Sequence, residues 1–346
     1  MTDLRQRFLI VRLSSMGDIV HALPAVAALG ETFPQAEIHW AVENRHAQLL
    51  EGNPYLHRLV KLDTLGWRER LTTRDAWREI RCAMQELRGS HYDAAVDFQG
   101  LWKSALIGWL SGAPERIGFE EHWLREPASS ALYTQRVSPR GRQHIIDMNL
   151  ALVERLGAST CHWQFPLPRT DADDALVEAQ VAPFDAQGFI IVNPGGGWQS
   201  KCWSPENYAE LVRRWGEKLR EPVILTGSSN EDELISTILH GARNRRARFL
   251  PTSVVQFIAL VRRARLFVGG DTGPLHLAAA VGTPIVGIFG PTDPARNGPF
   301  AKDDIALSNS GPIDHTRRES KPTYLTGISV DTVLAAIEAR LARAYG

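Results

Sequence analysis

The stretch LFVGGDTGPLHLAAAVGTPIVGIFGPTDP, residues 266–294, decides the fold of this chain. It begins with an apolar strand at residues 266–268, passes through a glycine-rich turn, and continues as a helix of small apolar residues that stops at Gly282. A second apolar strand, residues 284–289, follows directly. Unbroken apolar strands on either side of a helix are typical of parallel strands whose two faces are both covered. The stretch therefore predicts a β-α-β unit of an α/β fold.

The turn inside this stretch has the features of an anion site. Gly270 and Gly273 let a ligand approach the backbone, and free N–H groups within residues 272–276 are expected at the start of the helix, where the helix dipole favours negative charge. Asp271 and His276 flank the turn, so one can orient it while the other faces a bound diphosphate. A structural alternative stays open, in which Asp271 caps the helix and His276 is a core histidine.

The composition limits the classes of protein to which the chain can belong. A length of 346 residues favours two domains, and 44% hydrophobic with 23% charged residues is ordinary for a globular protein. Lys plus Arg and Asp plus Glu are both 39, which is not the charge of a nucleic-acid-binding protein. Cys82, Cys161 and Cys202 suggest neither a disulfide framework nor a zinc site, so a reducing cytoplasm is expected. No apolar run approaches the roughly 18 residues of a membrane span, so a lipid substrate would be met at the membrane surface.

The first half of the chain opens with a second β-α-β pattern, with strands at residues 8–13 and 37–42. The sequence Ser14-Ser15-Met16-Gly17-Asp18 lies in the loop after the first strand, and in parallel sheets such loops line the ligand crevice. A carboxylate there can act as a general base, and we expect a low-dielectric cleft to raise the pKa of Asp18. The alternative is that Asp18 or Ser15 only caps the helix.

Further along the first half, two segments carry basic residues. The predicted helix at residues 74–88 has Trp77 and Leu87 on a face that is expected to pack in the core. Its arginines lie on another face, which is expected to be exposed to solvent. Lys103 follows the strand at residues 92–98 and therefore also faces the crevice, although a lone lysine there is more often a surface residue.

The second half contains a near match to two nucleotide-binding motifs. Residues 194–205, PGGGWQSKCWSP, follow a buried strand at residues 189–193, but Ser200 replaces the second glycine of a P-loop and Cys202 replaces its Ser or Thr. The same Ser200 breaks a dinucleotide fingerprint, and no acid ends the next strand, which argues against hydride transfer. Residues 171–174, DADD, suit a helix start better than a cation site, so no metal is predicted.

The run GGDTGPLHLAAAVGTPIVGIFGPTDP resembles the signature of the family 9 glycosyltransferases, the ADP-heptose:lipopolysaccharide heptosyltransferases. The resemblance implies that the turn holds the diphosphate of the donor. It also implies that the lysine of the glycine loop pairs with the diphosphate and that a glutamate meets the adenosine ribose. The donor-binding residues carried over are Gly196, Gly197, Lys201, Glu231, Asp271, Thr272, Gly273 and His276, with Lys201 also assigned to catalysis.

In the first half, RLSSMGDIVHALPA resembles the opening of the type I members of this family, whose aspartate is the catalytic base; this implies that Asp18 is the base. Three further segments match the family: DFQGLWKSA, REPAS and QH. A Trp-Arg pair matches as well, but it has fewer basic neighbours here than in the family. The acceptor-binding residues carried over are Ser15, Met16, Gly17, Arg68, Lys103, Arg125 and His144.

The resemblance implies the GT-B architecture, in which two Rossmann-like domains face a central cleft. We expect an N-terminal acceptor domain at 1–165, a linker at 166–187, a C-terminal ADP-sugar donor domain at 188–328, and a terminal helix at 329–346 that packs back on the first domain. The implied reaction is an inverting, metal-independent transfer of heptose from ADP-heptose, a co-substrate, to the Kdo region of a nascent lipopolysaccharide core. No cofactor and no nucleic acid are expected. The protein is expected to be a cytoplasmic monomer, peripheral to the inner membrane, with an anionic glycolipid as acceptor.

Three alternatives stay open at this stage. The nearest is another family 9 transferase with a different acceptor or sugar. A non-catalytic sugar-nucleotide-binding protein would keep the diphosphate site without needing Asp18. A nicotinamide oxidoreductase is the third, and a change in NADH or NADPH absorbance would test it.

Overall fold

The computed structural model describes residues 6–159, 162–183, 188–196, 202–218, 221–309, 325 and 327–345. The chain divides into two compact units, residues 1–168 and 169–346, and this division falls inside the predicted linker. In each unit the described residues form a six-stranded sheet, and every strand pairing in both sheets is parallel. The predicted α/β class with two Rossmann-like domains is therefore confirmed.

The first unit alternates strands and helices along the chain. Its strands are β1 (Arg7–Val11), β2 (Glu37–Glu43), β3 (Arg58–Leu62), β4 (Ala94–Asp97), β5 (Glu115–Phe119) and β6 (Gln135–Val137). Its helices are α1 (Met16–Thr32), α2 (Thr64–Glu69), α3 (Arg74–Gly89), α4 (Trp102–Leu110) and α5 (Ile145–Glu154). Short 3-10 turns occupy Asn44–Leu49, Glu121–Trp123 and Pro127–Leu132.

The strand order of the first sheet, β3-β2-β1-β4-β5-β6, fixes where a ligand can enter. The chain runs outward from β1 to one edge and from β4 to the other, so the loops after these two neighbours diverge. In open α/β sheets the crevice at such a switch point is the preferred ligand site. Asp18, predicted in the loop after β1, lies in the first turn of α1, and Lys103 lies in the first turn of α4, which follows β4, so both border this crevice.

Apolar side chains from strands and helices cover one face of the first sheet. Leu9 and Val11 of β1 pack with Leu87 of α3 and Ile107 of α4, so both helices lie on the same face. The predicted core face of α3 is only partly correct. Leu87 is fully buried, but Trp77 is 59% exposed.

The second unit repeats the architecture. Its strands are β7 (Ile190–Asn193), β8 (Val223–Leu225), β9 (Ala247–Phe249), β10 (Leu266–Gly270), β11 (Ile285–Phe289) and β12 (Ile305–Ser308). Its helices are α6 (Asp171–Val181), α7 (Pro205–Lys218), α8 (Asp232–Ala242), α9 (Val254–Val261), α10 (Gly273–Ala280), α11 (Pro294–Asn297) and α12 (Val330–Tyr345). A 3-10 turn at Ser229–Glu231 leads into α8.

The second sheet has the order β12-β11-β10-β7-β8-β9, so its switch point lies between β7 and β10. The glycine loop follows β7, and the turn with Asp271 follows β10. Both segments that we expected to hold the donor therefore leave the sheet at the position where α/β proteins bind nucleotides.

The acidic segment DADD forms the start of α6, where the Thr170 hydroxyl accepts a hydrogen bond from the Asp173 N–H at 3.0 Å. Three of its aspartates lie in the first helical turn, where the helix dipole favours them. The prediction of a helix start is confirmed.

The terminal helix α12 packs by its apolar face on the core of the second unit, through Val333, Leu334 and Ile337. The guanidinium of Arg340 donates to the carboxylate of Asp304 at 2.9 Å, and both side chains are buried. The predicted return of this helix to the first domain stays a prediction.

Candidate active site

Asp18 lies in the first turn of α1, at the crevice beside β1. Its carboxylate receives a guanidinium N–H from Arg12 at 2.6 Å and accepts both the backbone N–H and the hydroxyl of Ser15, at 3.0 and 2.7 Å. The side chain of Asp18 is 32% exposed, so it is held firmly but remains reachable. Asp18 is therefore a helix-capping residue and an accessible carboxylate at once, and the two interpretations made from the sequence do not exclude each other.

The expectation that the site raises the pKa of Asp18 is wrong. Partial burial works in that direction, but the Arg12 charge and the two hydrogen bonds from Ser15 outweigh it and hold the pKa of Asp18 well below its ordinary value. Burial of Arg12 strengthens this effect, because only 12% of its side chain is exposed. Asp18 is ionised throughout the physiological pH range.

Arg12 itself was not singled out in the sequence. It follows β1 directly and reaches across the crevice, where its guanidinium also donates to the Phe98 carbonyl beyond β4. The side chain of Gln99 accepts the Leu13 N–H at 2.8 Å in the same crevice. These contacts fix the loop after β1 to the loop after β4.

Lys103 stands near a buried carboxylate that the sequence analysis also missed. The Lys103 ammonium lies 3.9 Å from the carboxylate of Glu43, the last residue of β2, and 3.4 Å from the Thr64 hydroxyl. Glu43 is almost fully buried, whereas the Lys103 side chain is 40% exposed. A lysine positioned by a buried acid but open to solvent is suited to bind an anionic substrate group. Glu43 is the last residue of a strand, and this position was the signal in the sequence that could have identified it.

Asp97, at the end of β4, organises the loop that leads into α4 and Lys103. Its carboxylate accepts hydrogen bonds from the N–H groups of Gln99 and Gly100 and from the hydroxyls of Ser104 and Tyr133. Burial raises the pKa of Asp97, and these four bonds oppose the rise. Asp97 is thus a structural residue, and its contacts give the loop one conformation.

The other predicted acceptor residues have different surroundings. Arg68 in α2 and Arg125 are exposed, and neither makes an ion pair with a residue that the structure describes. Ser15, Met16 and Gly17 surround the start of α1, and Gly17 is buried. His144 caps α5, because its Nδ1 accepts the Ile146 N–H at 3.3 Å. The structure therefore gives His144 a structural role, and its acceptor role stays a prediction.

His21 connects this cap to the Asp18 site. The rings of His21 and His144 meet edge to face with centroids 5.8 Å apart, and His144 stacks on Trp163 at 5.5 Å. His21 is buried in α1, and its charge would lower the pKa of Asp18 further. The sequence showed His21 only as one residue of a helix.

In the second unit, the turn after β10 brings Asp271 and His276 together. The His276 Nε2 lies 3.1 Å from the Asp271 carboxylate, and both side chains are buried. Thr272 occupies the N-cap position of α10, but its side chain makes no hydrogen bond to the helix. Its hydroxyl lies 3.4 Å from the Gly270 carbonyl instead. Asp271 thus orients the histidine at the start of a helix.

Fewer backbone N–H groups are free at the start of α10 than the sequence predicted. The Leu275 and His276 N–H groups both donate to the Thr272 carbonyl, at 3.1 and 3.4 Å. Those of Thr272 and Gly273 come before the first intrahelical bond and carry the positive end of the helix dipole. The turn retains the chemistry of an anion site with two leading N–H groups.

Glu231 lies against the glycine loop. Its carboxylate accepts the Ser228 N–H at 2.6 Å and the Ser228 hydroxyl at 3.0 Å, which forms a capping box. A methyl group on Gly195 would lie 1.9 Å from this carboxylate, so the loop can approach only because residue 195 is glycine. Burial raises the pKa of the Cys202 thiol, and the Glu231 charge adds to this.

Three strand ends are joined by Asn193, which the sequence analysis did not identify. Its side-chain amide donates to the carbonyl and the hydroxyl of Thr226 at 3.0 and 3.1 Å, and both residues are buried. A methyl group on Gly269 would come within 2.9 Å of the Asn193 carbonyl. Asn193 therefore fixes the bases of the loops that follow β7 and β8, beside β10.

Two predicted donor residues, Gly197 and Lys201, lie outside the described residues. Gly196 is described, and its carbonyl is 3.9 Å from the Cys202 sulfur. Within the described ranges, no three His, Cys, Asp or Glu side chains come together as a metal site. None of the helices in the same part of the chain is both long and apolar enough to span a bilayer.

Comparison with known proteins identifies the family. The model of glycosyltransferase family 9 (heptosyltransferase) matches residues 80–325. Lipopolysaccharide heptosyltransferase 1 of Pseudomonas aeruginosa is 30% identical over 88% of this chain and 84% of its own length. Lipopolysaccharide heptosyltransferase 3 of Escherichia coli is 24% identical over 93% of this chain and 94% of its own.

A solved structure extends the likeness to the fold. The E. coli heptosyltransferase WaaC with ADP-2-deoxy-2-fluoro heptose superposes with a TM-score of 0.76 and 26% identity, over 96% of this chain and 99% of that one. This supports the GT-B class for the two Rossmann-like units. The chain belongs to glycosyltransferase family 9, the heptosyltransferases, and is a glycosyltransferase.

Proposed function

We propose that this protein is an inverting, metal-independent heptosyltransferase of type I. It transfers L-glycero-D-manno-heptose from ADP-heptose to the Kdo region of a nascent lipopolysaccharide inner core. The observation that carries the proposal is the accessible, ionised carboxylate of Asp18, held by Arg12 and Ser15 at the switch point of the first sheet. The relatives named as lipopolysaccharide heptosyltransferases support heptose as the sugar and lipopolysaccharide as the class of acceptor, and the WaaC structure with an ADP-heptose analogue supports the donor.

The chemistry assigned to Asp18 is general-base catalysis. Asp18 accepts the proton of the acceptor hydroxyl while the hydroxyl oxygen attacks the anomeric carbon. The bond from that carbon to the diphosphate oxygen breaks, and the electron pair leaves with ADP. A single displacement from the face opposite the leaving group inverts the anomeric configuration.

The low pKa of Asp18 is compatible with this role. The acceptor hydroxyl becomes acidic only as its bond to the anomeric carbon forms, so a weakly basic carboxylate can take the proton late in the step. Ionisation at every physiological pH keeps the whole population of enzyme competent. Arg12 also fixes the direction of the carboxylate, which reduces the entropy lost on reaching the transition state.

The second unit is proposed to bind ADP-heptose. The leading N–H groups of Thr272 and Gly273 and the side chain of His276, oriented by Asp271, would stabilise the charge of the diphosphate. Glu231 is assigned to the ribose, and Gly196, Gly197 and Lys201 are assigned to the glycine loop that meets the phosphates. Fixed hydrogen-bond donors and a lysine can take the part that a divalent cation plays in other transferases.

The first unit is proposed to bind the acceptor, an anionic glycolipid of the Kdo-lipid A type. Lys103 and the exposed Arg68 and Arg125 offer positive charge to its carboxylates and phosphates. Ser15, Met16 and Gly17 would contact the acceptor beside Asp18, and His144 would contribute from the start of α5. We place the protein in the cytoplasm as a monomer that is peripheral to the inner membrane.

The experiment is a transfer assay with ADP-heptose and a lipid-free Kdo saccharide, which follows ADP release and the mass of the product. The wild-type protein should form product with and without EDTA. Asp18→Asn should lower kcat by about 10² to 10⁴ and leave ADP affinity, measured by calorimetry, unchanged. Asp171→Asn, an exposed aspartate of α6, serves as the matched control and should behave as wild type.

Three results would contradict the proposal. Full activity of Asp18→Asn would show that Asp18 is not the general base. Binding of ADP without any transfer, unchanged in Asp18→Asn, would indicate a sugar-nucleotide-binding protein. If EDTA abolished transfer and added Mg²⁺ restored it, the reaction would depend on a metal and the metal-independent mechanism would be wrong.

A further inference from the structure

Large apolar side chains are exposed on one part of the molecule. Six of the eight such side chains in the described residues lie between Leu65 and Trp109, and the other two are Leu176 and Tyr345. Scattered exposed apolar residues are normal, but a concentration of them marks a surface that another phase or molecule covers. This concentration lies in the first unit, on the helices α2, α3 and α4 and the turn that follows α2.

Helix α4 presents a complete apolar face to solvent. Trp102, Leu106 and Trp109 are 48%, 43% and 51% exposed, and their spacing of four and three residues puts them on the same side of the helix. The opposite side carries the buried Ser104, Ile107 and Gly108, which face the sheet. The exposed face is therefore the one turned away from the core.

Helix α3 borders α4 and adds an aromatic residue and positive charge. Trp77, Arg81 and Arg88 follow one another at helical spacing, and Arg88 lies beside the end of α4, where a methyl group on Gly112 would be 3.7 Å from its Cγ. The same flank of α3 thus faces α4. The indole N–H of Trp77 donates to the Leu71 carbonyl at 2.8 Å, which fixes the exposed ring in place.

The charge on this surface is uneven. The acids of α3 are already paired, Asp75 with Arg78, Glu79 with Arg70 and Glu86 with Arg58. Arg74, Arg81 and Arg88 are exposed and make no ion pair within the described part of the chain. The exposed tryptophans and leucines are therefore accompanied by positive charge that lacks a counterion in the fold.

We propose that this α3–α4 face, defined by Trp77, Trp102, Leu106 and Trp109 with Arg74, Arg81 and Arg88, binds the surface of a bilayer that contains anionic phospholipids. Tryptophan prefers the membrane interface, apolar side chains enter the boundary of the acyl chains, and arginines attract anionic headgroups. Charge complementarity favours a lipid surface over a second copy of this chain, because two copies would bring the same unpaired arginines together.

The position of the face gives it a use that rests on the proposed function. Trp102 is the first residue of α4, and its neighbour Lys103 is the proposed acceptor contact. Docking through α4 would hold the crevice beside β4 at the level of the headgroups, where a glycolipid acceptor presents its sugar.

The test measures binding of the full chain to vesicles without donor or acceptor, so that it does not depend on the proposed reaction. Vesicles of phosphatidylethanolamine and phosphatidylglycerol are compared with vesicles of phosphatidylcholine by co-sedimentation. We expect binding to the anionic vesicles, weakened by salt. Leu106→Gln with Trp109→Gln should lower the partition coefficient by about tenfold or more. Arg81→Glu should lower it by about fivefold or more.

Matched controls come from the second unit. Leu176→Gln replaces a leucine of similar exposure, and Arg245→Glu replaces an exposed arginine; both should bind as wild type does. All variants should keep their melting temperature, because the changed side chains lie on the surface. Leu106→Gln with Trp109→Gln should also keep transfer to a lipid-free Kdo saccharide while losing transfer to acceptor embedded in vesicles.

Absence of wild-type binding to the anionic vesicles would overturn the proposal, as would equal loss in the control variants. A concentration-dependent dimer in analytical ultracentrifugation that Leu106→Gln with Trp109→Gln abolishes would show that a second copy covers the face. Vesicle binding without any heptose transfer would retain the membrane surface and reject only the proposed reaction.

Discussion

The guanidinium of Arg12 lies 2.6 Å from the carboxylate of Asp18, and the two residues come from the end of β1 and the start of the helix that follows it. The pair sets the protonation of the proposed base. Without Arg12 the pKa of Asp18 would rise, because the largest opposing charge would be gone and the two Ser15 hydrogen bonds would remain against the effect of burial. The depressed pKa is thus a property of the surroundings of Asp18, in which the Arg12 charge is the largest lowering contribution.

Replacement of Arg12 by methionine should therefore move the pH profile of transfer. In the wild-type protein the pKa of Asp18 is depressed, so kcat/KM should show no acid limb from this group between pH 5 and pH 7. In Arg12→Met the pKa of Asp18 rises, and an acid limb should appear at higher pH, with kcat/KM at neutral pH lower by about tenfold or more. The measurement is kcat/KM against pH for both proteins.

The same contact has a consequence for stability. Because the pKa of Asp18 is lower in the folded than in the unfolded chain, the ionised form stabilises the fold above the ordinary aspartate pKa, and this contribution is lost as the pH falls through the folded value. Arg12→Met should flatten the fall in unfolding free energy on the acid side. An unchanged pH profile in both activity and stability would show that Arg12 does not control Asp18.

The donor side can be tested through Asp271. Asp271→Asn removes the charge that orients His276, so ADP affinity should fall by about tenfold, as for the loss of one charge-assisted hydrogen bond. Calorimetry with ADP measures the change. Asp303→Asn, an exposed aspartate of the same unit, should bind ADP as the wild-type protein does. Normal ADP affinity in Asp271→Asn would place the nucleotide elsewhere.

More of the fold than of the site could be predicted from the sequence. Period and length of the apolar runs located β10, α10 and β11. Asp18, Lys103 and Asp271 were correctly placed after the ends of strands, although Asp18 and Lys103 lie in the first turn of the following helix and not in the loop. These features depend on neighbours along the chain. The contacts of Arg12 with Asp18 and of Lys103 with Glu43 depend on which strands lie side by side, and a single sequence does not show that order.

The exposure of Trp77 shows a second limit. Its spacing from Leu87 suggested one apolar face, yet only the leucine reaches the sheet, because α3 has a narrow buried stripe and Trp77 lies on the flank towards α4. Periodicity identifies an apolar side of a helix but not how much of it the core covers.

The acceptor side can be tested through Lys103. Lys103→Met keeps the aliphatic stem and removes the charge, so KM for the Kdo acceptor should rise by about tenfold while KM for ADP-heptose stays unchanged. Lys61→Met is the control, because Lys61 is also partly exposed and paired with a glutamate at 2.9 Å but lies in β3. Steady-state kinetics with each substrate varied in turn gives both constants. A rise in the donor KM alone would assign Lys103 to the other substrate.

The contact of Gly195 with Glu231 offers a test that combines stability with binding. Gly195→Ala would place its methyl group 1.9 Å from the Glu231 carboxylate, which must then leave its two hydrogen bonds to Ser228. The variant should lose about 1 to 2 kcal/mol of unfolding free energy. It should also lose ADP affinity if Glu231 binds the ribose. Gly89→Ala, where the methyl group meets nothing within 4 Å, should be neutral or slightly stabilising.

A double-mutant cycle separates the clash from any other effect of the alanine. Glu231→Ala loses the capping bonds by itself, so adding Gly195→Ala to it should cost almost nothing further, and the two changes should be strongly non-additive. Urea unfolding of the four proteins gives the coupling free energy. Additive losses would mean that Gly195 is required for its backbone conformation and not for the approach of Glu231, and the ribose contact would then have to be tested on Glu231 alone.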